Sequence, residues 1–469
     1  MFTYVRLKNF KSLGEITFDF RKRKDVKSCK DVKQFIAIYG ENGSGKSNFV
    51  ESLALLGFSI FSLTNRNHME EMMSDIPENV SEFKEALAKA ITTKLTASEK
   101  LFTSHRMIDC AEPTEVEYGL LIDGKEWVYT LKFTNQLIEE RLYGMRDKIR
   151  GELFRITYCD DGNIKKNFWN GLFFNNNFER DLLNEIDKYW GKYSFFSIFL
   201  HEIDELNEKY VNESVSVRFH DFLENALNMC ISIKDNDRSR DFGRRYNILL
   251  EDLKSGKING DELSVIESTE KILKSFFVQM YADIKDVFYV IEPAEDGGIK
   301  YTLKLKKMVA GSVRILPFEW ESGGTQHLLE KIRFILNAFL GTVSICDEID
   351  NGIHDLLVES ILISAKDEFE TLSKKAEEDG EEFTGQLIIT THNTLLLESL
   401  KPADVYIIDV DYLGNKEAVC LSEYSIQKSD NKRLKYLKGL FGGVPMADSI
   451  DFESIIEYGY EAAENREDE

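Results

Sequence analysis

The sequence predicts an α/β protein with a parallel-sheet core, an antiparallel β element and an inserted helical subdomain. Three observations predict it. "FIAIYG" (35–40) is a continuous apolar run that ends in glycine and is followed by a helix-prone stretch, the pattern of a strand buried on both faces of a parallel sheet. Residues 2–20 and 115–142 alternate apolar and polar positions, the period of half-buried antiparallel strands. Between 178 and 286 the period becomes helical, as in "ERDLLNEIDKYW" and "FHDFLENALNM". At 469 residues the chain exceeds what one compact core usually serves. The expected division is an N-terminal lobe over 1–177, a helical insertion over 178–286 and a C-terminal lobe over 287–469.

In chain order, two strands joined at "KSLG" open the protein, and "RKRK" (21–24), the densest basic run, reads as a solvated hairpin loop. After "FIAIYG" an amphipathic helix is expected from Lys46 to about Phe61, then a polar, helix-prone insertion over 66–108. The alternating stretch beyond it turns at "DG" (123–124) and forms a meander, with further strand and turn to about 175. Strands resume at "VFYVIEP" and "IKYTLKLKK". A helix over about 325–340, the strand "TVSIC", a helix over about 354–373 and a charged loop (374–383) follow. The strand "QLIITT", a short helix and a β-hairpin beginning at "DVYIIDV" complete the core, and the acidic tail "EAAENREDE" is expected to fray.

Composition excludes several classes. The formal net charge is −23, from 59 Lys and Arg against 82 Asp and Glu, which works against non-specific nucleic-acid binding. Cys29, Cys110, Cys159, Cys230, Cys346 and Cys420 are scattered without a C-x-x-C pair, the usage of free thiols in a reducing cytosol. The N-terminus "MFTYVRLKNF" lacks the apolar segment of a signal peptide, and "LALLGFSIFSL" (53–63), broken by Gly57, Ser59 and Ser62, is too short to span a bilayer. A cytoplasmic protein without membrane association is expected.

Four short stretches carry chemistry. "GENGSGKS" (40–47) fits the P-loop pattern between a buried strand and a helix, the context that pattern requires. Gly40, Asn42, Gly43, Ser44 and Gly45 form a backbone cradle for phosphate oxygens, Lys46 is expected on the β- and γ-phosphates, and the Ser47 hydroxyl on Mg²⁺. "VSICDEID" (343–350) is an apolar strand ending in two acids: Asp347 to hold Mg²⁺ and Glu348 to take a proton from attacking water. "LIITTHN" (387–393) ends a buried strand at His392, suited to bond a γ-phosphate. "ESGGTQ" (321–326) precedes a helix and offers a second anion-binding N-terminus at Ser322, Gly323 and Gly324. One nucleotide cannot easily occupy both helix ends in one copy, so two sites per chain or one site built from two chains is expected; an ordinary N-cap turn is the alternative.

The order of these motifs resembles the ABC-type ATPases, and within them the RecF/SMC-like branch. The resemblance covers about residues 1–60 and 315–445. It implies ATP and Mg²⁺ as cofactors and a homodimer or higher oligomer in which Ser322, Gly323 and Gly324 of one copy cap the γ-phosphate held by the other. It makes Asp347 and Glu348 the Walker B pair, with Glu348, Lys46 and His392 catalytic, and His392 the switch histidine. "IDNGIH" occupies the family's D-loop with His354 where many members have Asp, the form of compact prokaryotic members. No Q-loop glutamine can be placed; Gln136 lies in the meander. "YLKGLFGGVP" (436–445) resembles an element of compact ATPases of bacterial anti-phage systems, the AriA type among them, which implies a switch that senses a trigger and holds or releases a separate effector protein.

Three rivals stand beside this reading. A RecF/SMC-like DNA clamp for repair predicts a basic strip and salt-sensitive DNA binding. A scaffold that binds ATP without turnover predicts no phosphate release. Asp409 and Asp411 have the D-x-D spacing of a nuclease metal site, but the chain after Asp411 is short for such a domain.

Overall fold

The computed structural model describes residues 1–22, 32–74, 100–146, 148–159, 161–204, 206–232, 239–243, 249–259, 262–294, 297–427, 430–444 and 452–467. Part of "RKRK", Cys29, most of the 66–108 insertion and the last residues of the acidic tail lie outside them.

Among the described residues the strands form three sheets. In the central one, Met229–Ser232, Val343–Cys346, Gln386–Thr390, Phe35–Gly40 and Val405–Val410 run parallel in that order. Ser239–Asp241 and Lys416–Cys420 close its edges antiparallel. Each parallel strand is buried on both faces, which is why these segments read as unbroken apolar runs. Ile36 and Ile38 face one core, while Phe35, Ala37 and Tyr39 face the other. Helix Lys46–Ser74 leaves the Phe35–Gly40 strand and runs well past the expected end at Phe61. Its Lys46–His68 stretch is long and apolar enough to cross a membrane by length and composition, but 67% of that window is buried inside the fold. Its apolar character is therefore that of a core helix.

The second sheet is the expected meander, extended at both ends: Leu13–Asp19, Phe2–Phe10, Thr114–Ile122, Lys125–Phe133, Leu137–Met145, Arg150–Tyr158 and Ile164–Phe168, each antiparallel to the next. Gln386 ties it to the core. Its side-chain oxygen accepts from Phe2 N (2.8 Å), and its amide donates to the Phe2 and Lys33 carbonyls (3.0 and 2.9 Å).

Residues 178–286 are not purely helical. Helices Asn176–Tyr189, Phe195–Ile203 and Val217–Leu227 cover the meander, but Met229–Ser232 joins the central sheet beside the Walker B strand. This strand is four residues long and follows a helix directly, so no period distinguishes it from the helix end. Ser255–Ile258 enters the third sheet, with Ile284–Pro293, Ile299–Val309 and Ser312–Pro317. Of the charged stretch 374–383, expected as a loop, residues 374–379 extend helix Asp355–Asp379, which ends at Gly380 in the left-handed conformation (φ +74°), and 381–383 lie outside any helix or strand. The tail is helical over Phe452–Glu467.

Glu140, fully buried between the meander and the helices, accepts from the Tyr129 hydroxyl (2.7 Å), Trp190 Nε1 (2.8 Å) and Phe195 N (2.7 Å). Burial pushes its carboxyl up to about 7, against the pull of those donors. A folded pKa raised above the unfolded 4.5 gives stability that is complete below that value and lost as pH climbs through 7. The loss is on the order of 3 kcal/mol. Denaturant midpoints measured from pH 4 to 8 are expected to fall across this window relative to those of Glu140→Gln. Parallel curves would contradict it.

Candidate functional site

The P-loop is shaped by local geometry. Gly43 and Gly45 lie in the left-handed region (φ +84° and +104°). A Cβ on Gly45 would stand 2.5 Å from Leu13 Cδ2, and one on Gly40 would stand 2.5 Å from Ser44 Oγ. Glycine is favoured at Gly45 by its left-handed backbone and at Gly40 by the Ile408 carbonyl, 3.0 Å from where a Cβ would stand. Lys46 is buried, and its ammonium donates to the Gly40 and Glu41 carbonyls (2.8 and 3.0 Å), folding back over the loop. Among the described residues Ser44 Oγ is buried without a hydrogen-bond partner. These features fit a nucleotide phosphate at the loop.

Asp347 and Glu348 follow the end of the Val343–Cys346 strand. Asp347 is buried, and its Oδ1 accepts from the Thr390 hydroxyl (2.6 Å), whose oxygen also accepts from Glu348 N (2.8 Å). Thr390 thus fixes both acids from the neighbouring strand. Glu348 has φ +46°, a left-handed backbone that costs an L residue about 1–3 kcal/mol and that clusters at functional sites. His392 N donates to Asp350 Oδ2 (2.9 Å), and among the described residues Asp350 Oδ1 is buried with no hydrogen-bond partner.

A single cavity of about 500 Å³ gathers these groups. Asn42, Gly43, Gly45, Lys46 and Ser47 line it together with Glu348 and His392. Gly40, Ser44 and Asp347, expected at the same site, do not line it: Gly40 O accepts from Lys46, Ser44 is fully buried, and Asp347 is anchored by Thr390. Ser322, Gly323 and Gly324 do not line the cavity. Ser322 caps helix Gly323–Phe339, accepting from Thr325 N (3.3 Å), and Ser322 and Gly323 face solvent. This helix start touches the Walker B loop instead: a Cβ on Gly324 would meet the Gly352 carbonyl at 2.7 Å. Farther along, Lys331 Nζ donates to the Asp347 carbonyl (3.2 Å).

Some residues at the cavity were not singled out from sequence. Asp350 and Asn351 line it; in sequence they stand out only as part of the "IDNGIH" stretch, with no role of their own. Ser12 and Asn48 line it too, with Asn48 Nδ2 donating to Ser12 Oγ (2.7 Å). Lys416 Nζ donates to Ser12 Oγ (2.7 Å) and to the Gly43 carbonyl (3.0 Å), and burial lowers its pKa. Ser12 and Lys416 are 404 positions apart, and nothing local marks either. His354 is the N-cap of helix Asp355–Asp379, its Nδ1 accepting from Leu356 N (3.3 Å). Gln136 lies in the meander turn, where its carbonyl accepts from Thr134 N. Asp409 accepts from Gly443 N (3.0 Å) and so holds the Gly442–Gly443 turn, and Asp411 accepts from Leu413 N and Asn415 N (2.8 Å each) and so serves the hairpin turn.

The chain is similar to two solved SMC head domains. The SMC head domain from Thermotoga maritima shares 13% identity over 89% of this chain and 98% of its own, with a TM-score of 0.36. The Smc head domain of Pyrococcus furiosus, with an extended coiled coil and bound to the C-terminal domain of ScpA, shares 15% over 94% of this chain and 99% of its own, with a TM-score of 0.37. No family model and no curated protein matches the chain.

Proposed function

We propose that the chain is an ABC-type ATPase head that binds and hydrolyses ATP, and that it pairs with a second copy to do so. The observation that carries this is a cavity lined by Lys46 and Ser47 of the P-loop pattern together with Glu348 and His392. P-loop amides and the Lys46 ammonium bind the β- and γ-phosphates. Ser47 and Asp347 would hold Mg²⁺, which when bound would neutralise charge on the phosphate oxygens. Glu348 orients the attacking water and takes its proton, and His392 bonds the γ-phosphate. Negative charge developing on the transferred group meets Lys46 and the dipole at the start of helix Lys46–Ser74.

The exposed Ser322–Gly324 turn supplies a second set of N–H donors, and its solvent-facing position suits a phosphate on another chain. Occupancy there has a route back to the chemistry, because the same helix contacts the Gly352 carbonyl and the Asp347 carbonyl. On this reading ATP joins two copies and hydrolysis releases them, a switch that holds or frees a separate effector protein. The likeness of "YLKGLFGGVP" to compact anti-phage ATPases supports a defence role. Gly442 and Gly443 there adopt left-handed φ (+71° and +68°) and pack on Asp409 and Gly40, which ties this segment to the P-loop.

The test joins phosphate release to sedimentation. With ATP and Mg²⁺ the protein is expected to release phosphate and to sediment as a dimer or larger; without nucleotide the association weakens. A monomer that hydrolyses ATP at the full rate would overturn the pairing, and absence of nucleotide binding would overturn the whole reading.

A further inference from the structure

Two surfaces of this chain are apolar, exposed and opposite in charge. The first is helix Phe452–Glu467. Phe452, Ile455, Ile456 and Gly459 recur at the spacing of one helix face. Ile455 and Ile456 are each 55% exposed, so this face does not pack on the body of the chain. The sequence "FESIIEYGYEAAENRE" carries five glutamates against one arginine. A lone helix of this length is marginal in water unless its apolar face is covered.

The second is the outer face of the third sheet. Helix Leu263–Met280 covers the inner face through Leu273 and Phe277, which pack with Val287 and Leu305. Outside, Ile315 lies opposite Lys306, Val313 opposite Met308, and Phe288 opposite Lys304. Val313 and Ile315 are 54% and 58% exposed on Ser312–Pro317, a strand paired on one side only among the described residues. Lysines 257, 300, 304 and 306 share this face with two acids: Asp286, bridged to Lys306 and Lys274, and Glu292, opposite Lys300. It is a basic, apolar face in a chain of net charge −23, at a strand edge of the kind natural proteins cover.

We propose that helix Phe452–Glu467 of one copy docks its apolar stripe on the Val313–Ile315 face of a second copy. Charge selects this occupant: two such helices would repel each other, whereas glutamates meet lysines here. The choice of a second copy rests on the composite-site reading above. The helix is tethered through residues 445–451 to Val444, beside Gly443, which packs on Gly40 of the P-loop. That tether reaches at most roughly 28 Å. The face leads through Phe318–Trp320 directly into Ser322. Where a P-loop meets the Ser322 turn of another copy, the root of the tether on the first and the end of the strand that carries this face on the second belong to the same contact.

The test uses full-length chains with two distinguishable tags, one carrying Ile456→Cys and the other Ile315→Cys, joined by a bismaleimide with ATP and Mg²⁺ present. The chain with native cysteines alone gives the background. A product bearing both tags is expected, and Val313→Glu or Lys304→Glu on the acceptor should lower its yield about tenfold. Both cysteines in one chain, linking within that chain at high dilution, would overturn docking on a second copy. No link while sedimentation shows an ATP-dependent dimer would overturn the docking and leave the pairing intact; no link and no dimer would remove both. Binding of a fluorescent DNA duplex that is lost in Lys304→Glu would give the face to nucleic acid instead, and overturn the assignment to the helix.

Discussion

Glu348→Gln is expected to bind ATP as the parent does and to release phosphate about 10²–10⁴-fold more slowly, the loss typical of a missing general base. The substitution preserves shape. Glu348 N keeps its bond to Thr390 Oγ1, and Asp347 keeps its own to the same hydroxyl. Only the carboxylate that accepts the proton is removed. The retained nucleotide should hold the copies together, so the slow variant should also sediment as a longer-lived dimer. Glu348→Gly separates chemistry from fold. It removes the same carboxylate but relieves the left-handed backbone at φ +46°, so turnover falls while thermal stability holds or rises by about 1 kcal/mol. Phosphate release at the parent rate in Glu348→Gln would remove this residue from the chemistry.

The strain at Glu348 also bears on how the two halves of the proposed site communicate. The Walker B turn is gripped from the neighbouring strand by Thr390 and from the Ser322-capped helix by Lys331. A shift of that helix on meeting a phosphate would pull on the Asp347 carbonyl and on Gly352, the two sides of the turn that aims Glu348. Base positioning and signature engagement thereby become one mechanical event, which fits hydrolysis that waits for pairing.

What was legible in the sequence was local. "FIAIYG" followed by "GENGSGKS" names a strand, a loop and a helix within one stretch, and backbone geometry there depends on residues that touch each other in sequence. Asp347, Glu348 and His392 were legible because parallel strands buried on both faces end in polar residues at the same edge of the sheet. The residues that escaped came from far away. Ser12 sits at a hairpin turn and Lys416 on an edge strand, and only the closed fold brings them to the Gly43 carbonyl. Met229–Ser232 escaped because four apolar residues after a helix have no period of their own. The helix over 374–379 escaped because its charged run reads equally as a solvated helix face or a loop. Asp409 was weighed as a metal ligand on spacing alone; its partner, Gly443 N, lies 34 positions on.

Lys46→Ala and Ser322→Arg are each expected to abolish hydrolysis alone and to restore it when mixed. Lys46→Ala removes the buried ammonium folded over the loop and, with it, nucleotide binding by that copy. Ser322→Arg leaves the P-loop untouched, because Ser322 does not line the cavity of its own chain. It should bind ATP normally, yet its bulky side chain blocks the exposed turn against a facing phosphate. In a mixed dimer the P-loop of the Ser322→Arg copy meets the intact turn of the Lys46→Ala copy, which makes one good site and one site defective on both sides. Random exchange gives about half mixed dimers with one working site of two each, hence about a quarter of the parent rate if sites act independently. A site contained within one chain predicts a different pattern: Ser322→Arg active by itself, and no gain on mixing. The recovered quarter is thus a direct measure of catalysis across two copies, and it depends on no assumption about the partner or trigger.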